Sequence, residues 1–544
     1  MKRNKGKEKA ASRKDLFAVT GILANLCVLL MRIPLTHMIG ENGVGYFSIA
    51  NELFLVISCF CAYGISEAVT VLVRYRIKRE QYKSARKVVH GGLIMAFIIG
   101  GSLSILLSLF SQNVAEYGLK IPLAGLAISL MAPAIIFQLL TAVLKGFFQG
   151  SGSRIPSIHS KILEVILYVS GGLIGAALFY KHGIKVSALL QEEAYAGVYG
   201  AMGASVGILA ASVLCFLHML ILYFMYRRVT ASREIKEIQK NQDKGNHVLH
   251  MIIGTAIPYS LFAGIYQILP ILDIGFFTRW AADGIDIATV LGKYYGKYMV
   301  IIGVLTGFFA FMGVDPVKRI THLIEREEYR LAREKMEKIL HQYVVFIIPT
   351  AIFTAVFGEN LLNSLFKGDH GTEAAWIMSG SILIVLGTLT TFFSNLLVRL
   401  RKMKYVILYE IAGLILHIVT VLVLLKGTDL GIMAIIIGNI VFLVVTVLAG
   451  YTLTAGIVQY KQEWVHSIAI PAVVAGISGL IGMLLNKVFL PHIGSFLSLL
   501  ICLLTSVIVY IILLLVSRGL RQEELQDMPG GEALIWISKR LHLM

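Results

Sequence analysis

Residues 46–110 read YFSIANELFLVISCFCAYGISEAVTVLV, then RYRIKREQYKSARK, then VVHGGLIMAFIIGGSLSILLSLF. Two apolar runs flank a gap, Arg74 to Lys87, that holds seven Lys and Arg residues. At 1.5 Å per residue, about 20 apolar residues cross the roughly 30 Å of bilayer hydrocarbon, so each run is long enough to span and the gap between them is a loop at one face.

Working outward, the same unit recurs along the whole chain. Spans are predicted at 15–36, 46–73, 88–110, 122–144, 157–179, 196–226, 249–273, 294–315, 341–362, 374–398, 404–425, 430–458, 466–486 and 494–517, fourteen in all. Of the 49 Lys and Arg residues, 39 collect in every second gap, counting Lys161 and Lys404 at the starts of the following spans with the gaps, and eight in the alternate gaps. The positive-inside bias places the basic set, and with it both termini, in the cytoplasm. With 57% hydrophobic and 15% charged residues among 544, the chain carries more apolar surface than a soluble core hides. The expectation is an all-α, multi-pass protein of the cell membrane. Its net charge of +17 is spread over loops facing anionic head groups, so nucleic acid is not needed to explain it.

A long loop after six spans divides the chain. The predicted organisation is a basic N-terminus (1–14), an N-lobe (15–226), a cytoplasmic linker (227–248), a C-lobe (249–458), a final helix pair (466–517) and a tail (518–544) whose stretch from Leu534 to Leu543 suits the membrane surface. Six spans plus six from the same side imply lobes related by an axis along the membrane normal, although no residue-level repeat between them stands out. The region from Leu269 to Lys293 reads as a broken helix plus a short outer helix. Pro133, Pro258, Pro270, Pro349 and Pro471 are expected to bend or interrupt spans. Gly171, Gly172 and Gly175, and Gly200, Gly203 and Gly207, suit close helix contact in lipid.

The basic N-terminal flank precedes a full-length apolar helix without a small-residue cleavage site, so it reads as a retained anchor. Cys27, Cys59, Cys61, Cys215 and Cys502 all fall in spans and read as packing residues, not metal ligands. No P-loop and no H-E-x-x-H stretch occurs. The chain is therefore not expected to be an enzyme or to hold a cofactor or metal. Coupling to Na+, to H+ or to the membrane potential is left open.

Ionisable residues within spans are costly and normally face a protein interior or a wet cavity. Subtracting the loop cations leaves two, Arg32 in the first span and Lys297 in the eighth. Lys297 and Lys293 are four apart and share a helix face; with Arg279 they form a basic group toward the outer side, within a Tyr-rich stretch that also resembles a head-group belt. Glu52 and Glu67 lie about four turns apart on the second span, and Asp273 ends the seventh. Glu52 is placed either to pair with Arg32 or to bind an ion, Glu67 to capture a proton or Na+. Asp315 before Pro316 reads as a residue that caps or terminates the eighth span, and Glu164, His218, Glu410 and His417 as a buried structural network. If Arg32 and Lys297 face one cavity, a guanidinium and an ammonium suit phosphate oxygens.

The segment from Arg32 to Gly40, RIPLTHMIG, followed by GVGYF at 43–47, and the segment KGFFQG from Lys145 to Gly150, resemble the polysaccharide transport branch of the multidrug/oligosaccharidyl-lipid/polysaccharide (MOP) exporter superfamily, within the Gram-positive group of sporulation-associated and lipid II flippase-like proteins. Three features depart from that group: Lys145 stands where Arg is usual, Asn25 where a basic residue is found, and Gly313 to Arg319 reads GVDPVKR. The resemblance implies a two-lobed helical fold around a cavity that opens alternately to each side. It also implies outward transport of polyprenyl-pyrophosphate-linked saccharides, with Arg32 and, by position, Lys297 near the diphosphate. The last helix pair would form a lipid-tail groove, and glycosyltransferases or a polymerase of the same pathway would be the partners. A cation-coupled multidrug exporter is the main alternative, favoured by Glu52, Glu67 and Asp273; a scramblase or structural membrane protein is another.

Overall fold

The computed structural model describes residues 2–153, 155–235, 245–280, 284–460, 463, 465–517 and 519. The surface stretch expected from Leu534 to Leu543, and linker residues 236–244, lie outside these. Among the described residues, all regular structure is helical. Twelve helical runs are long and apolar enough to cross a membrane.

Two of the twelve are each a pair of helices meeting at one glycine. Helix α1 (Lys2–Ser58) is broken at Gly40, with φ 74° and ψ 172°. The helical run Ile470–Val516 near the C-terminus is broken at Gly494, with φ 76° and ψ 169°. That backbone region is closed to residues carrying a Cβ. The loops expected at 37–45 and 487–493 therefore shrink to a single hinge residue each.

The chain forms two compact units, one of residues 1–300 with 418–435 and the other of 301–417 with 436–544. In the first, a π-turn at Cys59–Tyr63 joins α1 to α2 (Gly64–Lys78), and α3 (Tyr82–Leu109) and α4 (Ala134–Gly150) follow. Gly146 and Gly150 set α4 against the backbone of Ser66 and Thr70 on α2, and Thr70 Oγ1 donates to the Gly146 carbonyl at 3.2 Å. Helices α5 (Ile155–Leu190) and α6 (Ala194–Ile235) meet through reciprocal glycines. A Cβ on Gly203 would run into the Gly175 carbonyl, and one on Gly207 into that of Gly171. Without a hydrophobic drive between helices in lipid, such close approach supplies the association energy.

Helix α7 (Gly245–Trp280) runs unbroken through Pro258 and Pro270, which corrects the broken helix expected after Leu269. Asp273 accordingly lies two turns before the helix end instead of terminating it. A short helix does follow, α8 (Ile287–Lys293), but it opens the eighth span, continuing through a π-turn at Tyr294–Tyr298 into α9 (Met299–Met312). Tyr295 Oη donates to the Pro270 carbonyl at 3.0 Å, fixing this turn on α7.

In the second unit, Asp315 begins a helix instead of ending one. It sits in the first turn of α10 (Val314–Glu325), where a carboxylate complements the helix dipole, and pairs with Lys318 at 2.5 Å. Pro349 is buried within α11 (Tyr329–Leu365). The helices α12 (Ile382–Arg399), α13 (Met403–Gly427) and α14 (Ile432–Val458) follow, then α15 (Ile470–Val516). Pro471 lies inside the helical run Val465–Val516, directly after the π-turn at Val465–Ala469, the kind of irregularity expected where a proline removes a backbone donor. The face of α11 carrying Phe353 and Phe357 packs with Val474, Cys502 and Tyr510 of α15. Tyr510 Oη donates to the Val345 carbonyl at 2.7 Å, and Asn360 and Asn486 exchange amide bonds at 2.6 and 3.0 Å.

A residue-level repeat does exist. Residues 77–87, IKREQYKSARK, match 324–334, IEREEYRLARE, at six positions. Glu80 and Glu327 both adopt left-handed backbone, φ 59° and 61°. Each closes its helix with the same bonds: Glu80 N to Ile77 O and Gln81 N to Arg76 O, Glu327 N to Ile324 O and Glu328 N to Leu323 O, all at 3.0 Å. The identities are confined to one turn and the helix start after it, too short to stand out among 544 residues.

Candidate functional site: buried charges around the Gly40 hinge

Arg32 and Ser48 lie eight residues either side of Gly40, so the reversal there brings the second back beside the first. Arg32 Nη1 donates to Ser48 Oγ at 2.8 Å, and its guanidinium carbon lies 4.8 Å from the Phe47 ring centroid. The side chain is 4% exposed. A guanidinium is weakly hydrated and remains charged when buried, and an aromatic face offsets part of its desolvation. Glu52 and Tyr168 lie within its electrostatic reach. Glu52 is nevertheless not in a direct ion pair with it; its carboxylate instead accepts from Gln267 Nε2 at 3.5 Å. Tyr168 Oη donates to Asn51 Oδ1 at 2.6 Å. Arg32, Ser48, Asn51, Glu52, Tyr168 and Gln267 thus form a polar cluster inside otherwise apolar helices.

Lys293 and Lys297 do share a face, and both turn to one carboxylate. Glu41, the residue after the hinge, pairs directly with Lys297 and lies 3.7 Å from Lys293 Nζ. Lys297 is 1% exposed. The surrounding tyrosines are not a head-group belt, because Tyr294, Tyr295 and Tyr298 are all buried, Tyr294 and Tyr298 stacking at 5.1 Å between ring centroids. Small residues bring the two segments together. A Cβ on Gly45 would meet the Ala288 carbonyl, one on Gly292 the Glu41 carbonyl, and one on Gly296 the Val44 side chain.

The remaining candidates are dispersed. Arg279 is exposed at the end of α7, while Asp273 is buried within the electrostatic reach of Tyr266 and Tyr295. Glu67 is half-buried in the first turn of α2, with Tyr259 its electrostatic neighbour. Glu164 holds Lys145 at 2.7 Å and Lys161 at 3.8 Å. Glu410 and His417 are buried on α13. Among the described residues, no three His, Cys, Asp or Glu side chains gather as a metal site.

Sequence reasoning missed Glu41, Ser48, Asn51, Tyr168 and Gln267. Ser48 was recoverable, since a turn at Gly40 pairs positions equidistant from it. Glu41 was assigned to a loop, and no local signal marks Tyr168 or Gln267.

Comparisons agree with this architecture. The MatE family model matches residues 17–173. Stage V sporulation protein B of Bacillus subtilis (strain 168) is 20% identical over 530 residues, covering 94% of this chain and 96% of its own. Lipid II flippase MurJ of the same organism is 20% identical over 428 residues, covering 74% and 75%. A solved structure of lipid II flippase MurJ, in an inward closed conformation, superposes with a TM-score of 0.61 at 15% identity, over 92% of this chain and 97% of that one. Helices of this number and length make a multi-pass membrane protein. Residues 17–173 are thus similar to the MatE family, and most of the chain is similar to these two Bacillus subtilis proteins.

Proposed function

We propose that the chain carries polyprenyl-pyrophosphate-linked saccharides from the cytoplasmic to the outer leaflet, supplying cell-wall or surface-polysaccharide synthesis by alternating access. The observation that carries this reading is Arg32, a permanent cation 4% exposed, whose described partners are a hydroxyl and an aromatic ring. A guanidinium has five N–H donors. One serves Ser48, and an anionic head group is the natural acceptor for others. A diphosphate suits the planar, bidentate donor set of Arg. Lys297 and Lys293, with Arg279 nearer the surface, supply further positive charge. Glu52, Glu67 and Asp273 are the candidates for coupling to H+ or Na+. The resemblance to MurJ proteins supports a lipid-linked substrate.

In this reading there are fourteen crossings in two lobes of six plus a final pair. The hinges at Gly40 and Gly494 support the count, each dividing one long run into two. The shared turn at Glu80 and Glu327 supports duplication of the lobes.

The test is vesicle transport of a labelled polyprenyl-pyrophosphate sugar by wild type and by Arg32→Ala. Protein-dependent transport that falls at least tenfold in the variant is expected. A second reading, export of organic cations, is favoured by the buried carboxylate of Asp273. Transport of a cationic dye instead of the lipid-linked sugar would establish it.

A further inference from the structure

The two copies of the repeated turn differ in their acidic residues. Residues 74–87 hold seven Lys and Arg against one acid, Glu80, whereas residues 315–338 hold seven against six. The positive-inside bias counts Lys and Arg and is nearly blind to Asp and Glu, so both stretches satisfy it equally and it does not account for the difference. Aligned on their shared backbone, Lys78 stands where Glu325 does, Gln81 where Glu328 does and Lys87 where Glu334 does. The second copy uses its acids locally: Arg330 Nε lies 3.8 Å from Glu334 and His322 Nδ1 3.3 Å from Glu325. In the first copy Arg74, Lys78 and Arg79 are exposed. Arg79 rests on Tyr75, its guanidinium carbon 4.2 Å from the ring centroid, and Tyr75 is itself 51% exposed.

The copies also differ in depth. Helix α3 starts at Tyr82 and its apolar stretch at Val88, six residues on; α11 starts at Tyr329 and its apolar stretch at position 341, twelve residues on. At 1.5 Å per residue the first turn lies about 9 Å beyond the hydrocarbon and the second about 18 Å. The head-group layer is about 5–8 Å deep on each side, and surface charge is screened over about 8 Å at physiological salt. The first turn therefore lies at the head groups, with Tyr75 where interfacial tyrosines gather, and the second reaches past them into water. Excess positive charge occurs where lipid is close, and charge balance where it is not.

We propose that the α2–α3 turn is a binding surface for anionic phospholipid head groups of the cytoplasmic leaflet, with Arg74, Lys78 and Arg79 on their phosphodiesters, and that the α10–α11 turn, built on the same backbone, is not. Each cation held at a bilayer surface gains from anionic lipid within a screening length. The contact anchors the end of α2 and the start of α3 to the leaflet, so their local stability depends on its lipid composition. It concerns the membrane and not the cargo, and it stands or falls independently of the substrate proposed above.

The test is hydrogen–deuterium exchange with mass spectrometry on the full-length protein in nanodiscs of phosphatidylcholine, with and without phosphatidylglycerol. Exchange in peptide 74–87 is expected to slow at least about fivefold when phosphatidylglycerol is present, while peptide 321–334 exchanges at the same rate in both. Arg74→Thr with Lys78→Glu, which gives the first turn the residues of the second, should lose this protection. Arg74→Lys with Lys78→Arg keeps the charge and should retain it. Equal slowing in both turns would mean a general response to surface charge and would overturn the proposal, as would no slowing at 74–87 or undiminished slowing in the Arg74→Thr, Lys78→Glu protein. So would protection of 74–87 by soluble polyglutamate in phosphatidylcholine discs that exceeds protection by phosphatidylglycerol, which would assign the surface to an acidic cytosolic partner.

Discussion

Arg32 on one side of the Gly40 hinge donates to Ser48 on the other, at 2.8 Å, so the bond ties together the two halves of α1. A hydrogen bond to a charged group contributes about 1.5–3 kcal/mol. Ser48→Ala should therefore lower the thermal midpoint measurably while leaving the guanidinium in place. Transport of a lipid-linked sugar should fall by less than in Arg32→Ala. Arg32→Lys keeps the charge but loses the planar donors and the contact with Phe47, and should behave more like the alanine variant than like wild type.

Gly40 and Gly494 share a backbone conformation that costs about 1–3 kcal/mol for a residue with a side chain. Gly40→Ala and Gly494→Ala should each reduce stability by that order in a detergent thermal-shift assay. Gly254→Ala is the control: Gly254 lies within α7 and an added Cβ would meet nothing within 4 Å. That change should be neutral or stabilising by up to about 1 kcal/mol.

The glycine contact between α5 and α6 has no room for a side chain. Gly203→Val or Gly207→Val should drive these helices apart and cost at least about 1–3 kcal/mol, seen as a loss of folded protein on size-exclusion chromatography. Gly476→Val, at a position with nothing within 4 Å of an added Cβ, should express as wild type does.

Asn360 and Asn486 bind each other through both amides, and Asn486 also accepts from Ser498 at 2.6 Å. Interhelical polar bonds in lipid contribute about 0.6 kcal/mol on average and up to about 1.7. A double-mutant cycle with Asn360→Ala and Asn486→Ala should return a favourable coupling in the upper part of that range, because two bonds are lost together. A coupling near zero would mean that apolar packing alone holds α15 on α11.

The places of the apolar helices were legible in the sequence because they depend on composition, which is a local property. Gly171, Gly175, Gly203 and Gly207 could likewise be read as a packing surface, although not which glycine meets which. Prolines were legible in part: Pro133 falls in the break between the helices Gly125–Met131 and Ala134–Gly150 and Pro471 follows the π-turn at Val465–Ala469, whereas α7 continues through Pro258 and Pro270, as a membrane helix does when its neighbours satisfy the backbone. The candidate site was only half visible. Arg32 and Lys297 were found by subtraction, since a cation inside a span is rare. Glu41 was not, because an acidic residue next to a glycine looks like an ordinary loop until the hinge folds it against Lys297. Tyr168 and Gln267 reach the cluster from distant helices, and only tertiary structure brings them there.

The most direct test of lipid-linked saccharide transport through the Arg32 cluster is a flux measurement in sealed vesicles. A fluorescent polyprenyl-pyrophosphate disaccharide is placed in one leaflet, its appearance in the other is followed by membrane-impermeant quenching, and wild type is compared with Arg32→Gln, which preserves size and hydrogen-bonding capacity. The expected result is protein-dependent flux in wild type that falls at least tenfold in Arg32→Gln at equal incorporation. Flux of the same rate in both proteins, or none above protein-free vesicles in wild type, would contradict it.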